Sequence, residues 1–361
     1  MELHALGWNS RLTLDFQPYS ADGLVPARVT SAQRELCTVS CCDGELLAEV
    51  TGRFRHEAAG VDGYPVVGDW VAVSPRPAEG RAAIHAILPR ASAIVRRAAK
   101  GSSAWHVLPE EQVVAANVDT ALIVMALDRD FNVRRLERYL TLAWGSGVQP
   151  VVVLNKADLC EEVPARVAEA EAAAAGVPVV TMSAGTGAGV EAIHGHLPPG
   201  KTAVLLGSSG VGKSTLINRL VGEERMTTAA VREDDRRGRH TTSSREMVVL
   251  PTGALLIDNP GMREVGLWGG EEDLEASFSE IEALANGCRF SDCRHGSEPG
   301  CAVREALENG SLDEDRYGSW RKLQRELAFL AAREDVRARI AQRQRMKSIA
   351  KHQKSFRKDR R

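Results

Sequence analysis

The chain has 361 residues and a formal net charge of -2, with 43% hydrophobic and 26% charged residues. These values are typical of a protein with a buried core, and the length favours two or three domains. No apolar run reaches the roughly 18 residues of a membrane-spanning helix, and the N-terminus lacks the basic and apolar regions of a secretion signal. We therefore expect a cytoplasmic protein without a membrane partner.

Short strand-like runs separated by Gly, Pro and Asp occupy residues 1 to about 95. Examples are Arg28–Thr30, Glu45–Val50 and Asp69–Val73, and no long helical periodicity accompanies them. This pattern predicts a small N-terminal β-barrel of the OB type, a fold that often binds RNA.

Apolar strands alternate with helical segments between about residues 115 and 265. We predict helices at Val133–Trp144, Pro164–Ala175 and Lys213–Val221. This alternation predicts an α/β domain with a doubly wound, mainly parallel sheet. The strand candidates are Thr120–Ala126, Val151–Leu154, Val177–Met182, Thr202–Leu206, Glu246–Leu250 and Ala254–Asp258.

A glycine-rich loop, GSSGVGKS at residues 207–214, follows one of these strands and precedes a helix. It matches the phosphate loop of nucleotide-binding proteins, in which backbone N–H groups and a helix N-terminus bind the phosphates. We expect Lys213 to stabilise the reacting phosphates and Ser214 to bind Mg²⁺. The predicted nucleotide contacts are Gly207, Ser208, Ser209, Gly210, Val211, Gly212, Lys213, Ser214 and Thr215.

The tetrapeptide NKAD at residues 155–158 directly follows another strand and predicts guanine binding. A carboxylate at Asp158 can accept hydrogen bonds from guanine N1–H and the exocyclic amine, a donor pair that adenine lacks. Because NKAD precedes the phosphate loop, the reverse of the usual order, the sequence indicates a circularly permuted P-loop GTPase. The other predicted contacts are Asn155 and Lys156 beside the base, and Ser183 and Ala184 near guanine O6.

Two further segments complete the predicted hydrolytic site. DNPG at residues 258–261 matches a γ-phosphate sensor, in which Asp258 holds Mg²⁺ through water and the Gly261 N–H meets the γ-phosphate. Residues 236–242 suit a mobile switch loop. In that loop Thr242 or Thr241 is expected to bind Mg²⁺, and His240 is a candidate general base or water-orienting group.

Met262 stands where a Ras-like enzyme carries a water-orienting glutamine. A thioether cannot position an attacking water, so we expect slow hydrolysis until a partner completes the site.

Four metal-binding side chains lie within fourteen residues near the C-terminus: Cys288, Cys293, His295 and Cys301. Three thiolates and one imidazole predict a closed, structural, tetrahedral Zn²⁺ site. The remaining cysteines are interpreted as small apolar side chains, because an odd total of seven does not indicate a disulfide framework. They are Cys37, Cys41, Cys42 and Cys160.

Basic residues dominate the segment from Arg337 to Arg361, where Asp359 is the one acidic residue. Such a segment is either a nucleic-acid contact or a solvated tail.

Together these motifs resemble one family, the bacterial small-subunit-dependent GTPases called RsgA or YjeQ. The resemblance rests on QVVAANVD at residues 112–119, the reversed motif order, the Arg-His-Thr-Thr switch, DNPG and the Cys/Cys/His/Cys spacing. It implies an OB barrel over residues 1–95, a permuted GTPase domain over 96–268 and a helical zinc domain with a basic tail over 269–361.

The resemblance also implies one structural Zn²⁺, Mg²⁺ bound with GTP, and a function in late assembly of the 30S ribosomal subunit. Members bind 16S rRNA near the decoding region and leave after hydrolysing GTP to GDP. We expect a monomer, since no heptad pattern indicates a coiled coil.

Three other interpretations fit parts of the sequence. A large-subunit assembly GTPase shares the reversed motif order, but the zinc cluster and barrel are not expected there. A nucleotide-gated RNA-binding chaperone with incidental hydrolysis would also fit Met262. A DNA-binding zinc protein is disfavoured, because nothing resembles a recognition helix beside the cysteine cluster.

Overall fold

The computed structural model describes residues 2–33, 36–57, 64–97, 111–128, 131–222, 245–258, 278–290, 292–296 and 298–325. The chain divides into two compact units, Met1–Trp268 and Gly269–Arg361. Among the described residues, no helix is both long and apolar enough to cross a membrane.

The first described elements are helical, which the strand pattern did not predict. A 3₁₀ turn at Leu3–Leu6 precedes helix α1 (Ser10–Ser20). Asn9 caps α1, because its side-chain oxygen accepts a hydrogen bond from the Leu12 N–H at 3.1 Å. Leu12 and Phe16, one helical turn apart, bury this helix against the main core.

Five strands then form a closed barrel, as predicted. They are β1 (Val25–Gln33), β2 (Leu36–Cys41), β3 (Gly44–Val50), β4 (Trp70–Arg76) and β5 (Arg81–Ile87), with the short helix α2 (Gly52–Glu57) after β3. The order β1-β2-β3-β5-β4 closes because β4 also pairs with β1. Apolar side chains from all five strands fill the interior, including Val29, Val39, Ala48, Val71 and Ile84, all fully buried.

An antiparallel pair, β6 (Ala93–Arg97) and β7 (Glu111–Ala116), lies in the chain between the barrel and the α/β part of the sheet. Its strands are β8 (Thr120–Ala126), β9 (Gln149–Asn155), β10 (Val179–Thr181), β11 (Thr202–Leu206), β12 (Arg245–Val249) and β13 (Leu255–Asp258). In the order β10-β9-β8-β11-β13-β12 all neighbours are parallel except β12, which is antiparallel to β13.

Helices cover both faces of this sheet, as the alternation predicted. Helices α3 (Val133–Gly145) and α4 (Val163–Ala173) pack on one face, with Ile123 and Met125 of β8. The short α5 (Glu191–His194) and α6 (Lys213–Val221) pack on the other, with Leu122 and Val124. Successive side chains of β8 thus enter different cores, which identifies a doubly wound sheet.

The barrel and this sheet are joined in two ways. Ser31 and Ala32 of β1 pair antiparallel with Glu246 and Arg245 of β12, so one sheet runs through both. Arg28 of β1, 2% exposed, donates hydrogen bonds to Thr202 Oγ1 at 2.8 Å, to Asn117 O at 3.2 Å and to Leu6 O. Desolvation lowers the pKa of Arg28 to about 10, although the charges of Asp119 and Asp69 raise it in part.

The described part of the second unit is helical. It contains α7 (Ser279–Ala285), α8 (Ala302–Glu308) and a third helix, α9, at residues 314–325. Its small core contains Phe278, Ile281, Val303, Trp320 and Leu323.

Candidate active site and metal cluster

The phosphate loop connects β11 to α6 at the carboxyl edge of the sheet. Two of its glycines allow the backbone to approach neighbouring loops closely. A Cβ on Gly207 (φ +149°) would lie 2.4 Å from Val124 O, and one on Gly212 (φ +96°) would lie 2.3 Å from Asn155 Nδ2. Larger residues are therefore excluded at both positions.

Lys213 lies inside the curve of this loop. Its Nζ donates hydrogen bonds to the carbonyl oxygens of Gly207 at 2.7 Å and Ser208 at 2.6 Å. The ammonium is thus held at the N-terminus of α6, where the helix dipole favours an anion. Ser214, in the next position, is exposed, and Thr215 is half-buried.

Asn155 joins three of the predicted segments. It is 1% exposed; its Nδ2 donates to Val211 O of the phosphate loop, and its Oδ1 accepts from the Ala184 N–H, both at 2.8 Å. The NKAD segment, the phosphate loop and the loop at Ser183–Gly185 therefore meet at one buried amide.

The rest of NKAD lies at the surface beside that junction. Lys156 adopts the left-handed conformation (φ +62°), and its Nζ forms an ion pair with Asp128 at 2.7 Å. The Ala157 N–H donates to Met182 O, which holds NKAD against the loop that follows β10. Asp158 is exposed.

Two arginines that the sequence analysis did not single out contact these loops. Arg135, near the start of α3, donates to Ser208 Oγ at 2.6 Å. Arg219, in the last turn of α6, donates through Nε to Ala184 O at 3.0 Å and through Nη2 to Gly185 O at 2.7 Å. Both contacts join distant parts of the chain, so no local pattern signals them.

Asp258 ends β13, which lies beside β11 with Val204 paired to Ile257. The carboxylate, on a residue 8% exposed, is therefore at the same sheet edge as the phosphate loop. The other residues predicted for hydrolysis lie outside the described residues: His240, Thr241, Thr242, Gly261 and Met262.

The structure brings Cys288, Cys293, His295 and Cys301 together, with all four candidate ligand atoms within 4.8 Å of one another. The His295 Nδ1 lies 3.6 Å from the Sγ of Cys288 and 3.4 Å from that of Cys301, and these two sulfurs are 3.9 Å apart. A tetrahedral zinc ion separates two sulfur ligands by about 3.8 Å, and a sulfur from a nitrogen by about 3.5 Å. The donor set and its spacing are thus compatible with zinc.

The surroundings of the cluster shift the pKa values of its thiols in opposite directions. A backbone hydrogen bond from His295 acts to lower the pKa of the Cys293 thiol, but desolvation and the neighbouring Cys301 and Cys288 raise it to about 11. Desolvation acts to raise the pKa of the Cys288 thiol. Hydrogen bonds from the N–H groups of Val303 and Ala302 act to lower it, and the net shift is downward. Desolvation lowers the pKa of the His295 imidazole, although the charge of Glu298 raises it in part. Tyr317 donates to the His295 carbonyl oxygen at 3.2 Å and orients this residue, whose φ is +55°.

Comparisons with known proteins agree with this arrangement. The family model described as RsgA GTPase matches residues 87–268. A model for ABC transporters also matches residues 190–351, a range that includes the phosphate loop common to many nucleotide-binding proteins. A relative from Opitutus terrae, the small ribosomal subunit biogenesis GTPase RsgA, is 48% identical over 98% of this chain and 98% of its own.

Two solved structures have the same architecture. The crystal structure of YjeQ from Thermotoga maritima is 28% identical, with a TM-score of 0.62 over 84% of this chain and 99% of its own. YloQ, described as a circularly permuted GTPase, is 22% identical, with a TM-score of 0.59 over 84% of this chain and 95% of its own. The predicted permuted GTPase fold is thereby confirmed.

Proposed function

The chain belongs to the RsgA GTPase family, and on that basis we propose that it hydrolyses GTP during assembly of the small ribosomal subunit. The observation that carries the GTPase assignment is the buried amide of Asn155, which ties the guanine-recognition segment to the phosphate loop. The small-subunit assignment draws on the name of the 48% identical relative.

In this proposal one guanine nucleotide binds where NKAD, the phosphate loop and the loop at Ser183–Gly185 meet. The phosphates lie in the loop at 207–215, and Asp158 recognises the base, supported by Lys156, Ser183 and Ala184. Mg²⁺ would be held by Ser214, by Asp258 through water and by Thr241 or Thr242, and would neutralise charge on the phosphates.

Hydrolysis requires water to attack the γ-phosphorus while the bond to the β–γ bridging oxygen breaks. Negative charge then builds on the β-phosphate oxygens, and the Lys213 ammonium, held at the N-terminus of α6, stabilises it. We assign His240 as the group that positions the water, because Met262 cannot. Hydrolysis by the protein by itself is slow until a partner completes this site.

The Cys288, Cys293, His295 and Cys301 cluster is proposed to bind one structural Zn²⁺. The ion would connect the loop before α8 to the N-terminus of that helix, and its four ligands leave no open position for catalysis. Such a link would stabilise a unit with a small core.

We further propose the three domains already outlined: an RNA-binding barrel over residues 1–95, the GTPase domain over 96–268 and the zinc domain with its basic tail over 269–361. The partners are the 30S subunit and its 16S rRNA, contacted by a monomer in the cytoplasm. The closed barrel supports this assignment, since OB-type barrels commonly bind oligonucleotides.

The experiment that tests the function is GTP turnover by the purified protein without ribosomes, with 30S subunits and with 50S subunits. We expect 30S subunits to raise the turnover number by at least about tenfold and 50S subunits to leave it unchanged. The His240→Ala variant should lose about a hundredfold in the stimulated rate with its GDP affinity intact. His196→Ala, a half-buried histidine of the same domain, serves as the matched control.

Other outcomes would select the alternatives. Stimulation only by 50S subunits would indicate a large-subunit assembly factor. A turnover number that neither subunit changes, with GTP-dependent binding to 30S subunits retained, would favour the RNA chaperone, which Met262 also fits.

A further inference from the structure

We infer that Arg219 is a positioning residue for guanine recognition: it orients the Gly185 N–H toward O6 of the bound base. The inference rests on the proposed function, since it needs a guanine nucleotide bound where the three loops meet at Asn155. It concerns a residue outside the phosphate loop and outside NKAD, on the far end of α6.

The loop after β10 uses almost every backbone donor internally. Of the six consecutive N–H groups from Ser183 to Ala188, five are hydrogen-bonded within the described structure, and that of Gly185 is not. The five bonds are Ser183 N–H to Ala188 O, Ala184 N–H to Asn155 Oδ1, Thr186 N–H to Ser183 Oγ, Gly187 N–H to Ser183 O and Ala188 N–H to Thr186 Oγ1. Gly185 is exposed, so one backbone donor of this loop is left for a ligand.

Arg219 fixes the direction of that donor. In a planar trans peptide the carbonyl of one residue and the N–H of the next point in opposite directions. The guanidinium holds the Ala184 carbonyl at 3.0 Å, which turns the Gly185 N–H away from α6. Its second bond, to Gly185 O at 2.7 Å, prevents the following peptide from rotating.

The same helix therefore supports both ends of the nucleotide. Lys213 starts α6 at the phosphate loop, and Arg219 lies six residues later, about 9 Å along the axis. Because one rigid helix carries both side chains, the distance between the phosphate site and the O6 donor is fixed by α6. Asn155 accepts a hydrogen bond from the Ala184 N–H, so both the N–H and the carbonyl oxygen of Ala184 are held by side chains.

This geometry predicts how base selectivity divides between two groups. O6 is read by the Gly185 N–H, and N1–H and the 2-amino group are read by Asp158. The preference for GDP over a nucleotide altered only at position 6 should then depend on Arg219. The preference for GDP over a nucleotide that lacks only the 2-amino group should not. A general loosening of the site would change both selectivities.

The test measures dissociation constants of GDP, 6-thio-GDP and IDP for the full chain and for Arg219→Ala. In the unaltered protein we expect GDP to bind about fivefold more tightly than 6-thio-GDP, the value of one ordinary hydrogen bond. Arg219→Ala should reduce that ratio to within about twofold of unity and leave the GDP/IDP ratio unchanged. Arg219→Lys, with one cationic group for the two carbonyls, should give an intermediate GDP/6-thio-GDP ratio.

Arg166→Ala is the matched control, an arginine of α4 that pairs with Glu169 and whose side chain is 41% exposed. Two results would overturn the inference: a GDP/6-thio-GDP ratio that Arg219→Ala leaves intact, or an equal fall in both ratios. If the unaltered protein does not prefer GDP to ADP, the proposed function itself fails. That outcome is distinct from a guanine-selective protein in which Arg219 has no effect.

Discussion

Replacement of Asn155 by alanine tests the junction on which the site depends. The change removes two buried hydrogen bonds and leaves the Ala184 N–H and Val211 O without their partner. Each buried group left unsatisfied costs about 1–3 kcal/mol, so the free energy of unfolding of the nucleotide-binding domain should fall by about 2–6 kcal/mol. GDP affinity should fall at least about tenfold, because the phosphate loop and the loop at 183–185 are no longer aligned.

Urea unfolding followed by circular dichroism measures the first quantity, and titration with a fluorescent GDP analogue the second. Asn155→Asp should rescue neither, because it keeps the acceptor for Ala184 but places a carboxylate against Val211 O. Asn309→Ala is the control: this exposed side chain accepts one hydrogen bond, from the Ser311 N–H at 2.9 Å, and should cost under about 0.5 kcal/mol. If Asn155→Ala matches that control in both assays, the three loops are held together by something else.

Three further predictions concern other parts of the molecule. Gly212→Ala should weaken GDP binding about as much as Asn155→Ala, because its Cβ would displace the Asn155 amide; unchanged titrations would refute the 2.3 Å clash. Cys301→Ser should lower the zinc content measured by mass spectrometry from one ion per chain toward none, whereas Cys160→Ser should retain the ion; equal contents in both variants would exclude the cluster as the site. Desolvation raises the pKa of Cys37 from 9.0 to about 11, so the folded chain holds a proton that the unfolded chain loses between those pH values. Stability should therefore fall by about 1–2 kcal/mol more in the unaltered protein than in Cys37→Ala as pH rises from about 8.5 to 10.5, and parallel losses in the two proteins would contradict the shift.

Much of the nucleotide-binding domain could be predicted from sequence because its strands are apolar runs followed directly by motifs. The segment at Thr202–Leu206 matches β11, and the helix at Lys213–Val221 matches α6. Where a predicted strand and the observed strand have different bounds, the pairing of that strand with its neighbours explains the difference. Residues 177–182 were predicted as one strand, but β10 spans only Val179–Thr181 because it lies at the sheet edge and pairs with β9 alone among the described strands.

Helix α1 was missed for a different reason. Its apolar residues Leu12, Leu14 and Phe16 alternate with polar residues as in a strand, and Pro18 near its end reads as a helix breaker. The contacts of Arg135 and Arg219 could not be predicted either, since each joins segments at least 34 residues apart through the packing of two elements. Local patterns thus indicated the loops of the candidate site, while the side chains that contact those loops required the structure.

The continuous sheet has a consequence for how the protein can be divided. Strand β12 would be an open edge of the GTPase sheet if the barrel were absent, and Ser31 and Ala32 of β1 cover its first two residues. An uncovered strand edge is a template for pairing with another chain. A fragment that starts after the barrel would therefore be prone to self-association through β12. In the full chain, the barrel prevents this association because it covers that strand edge.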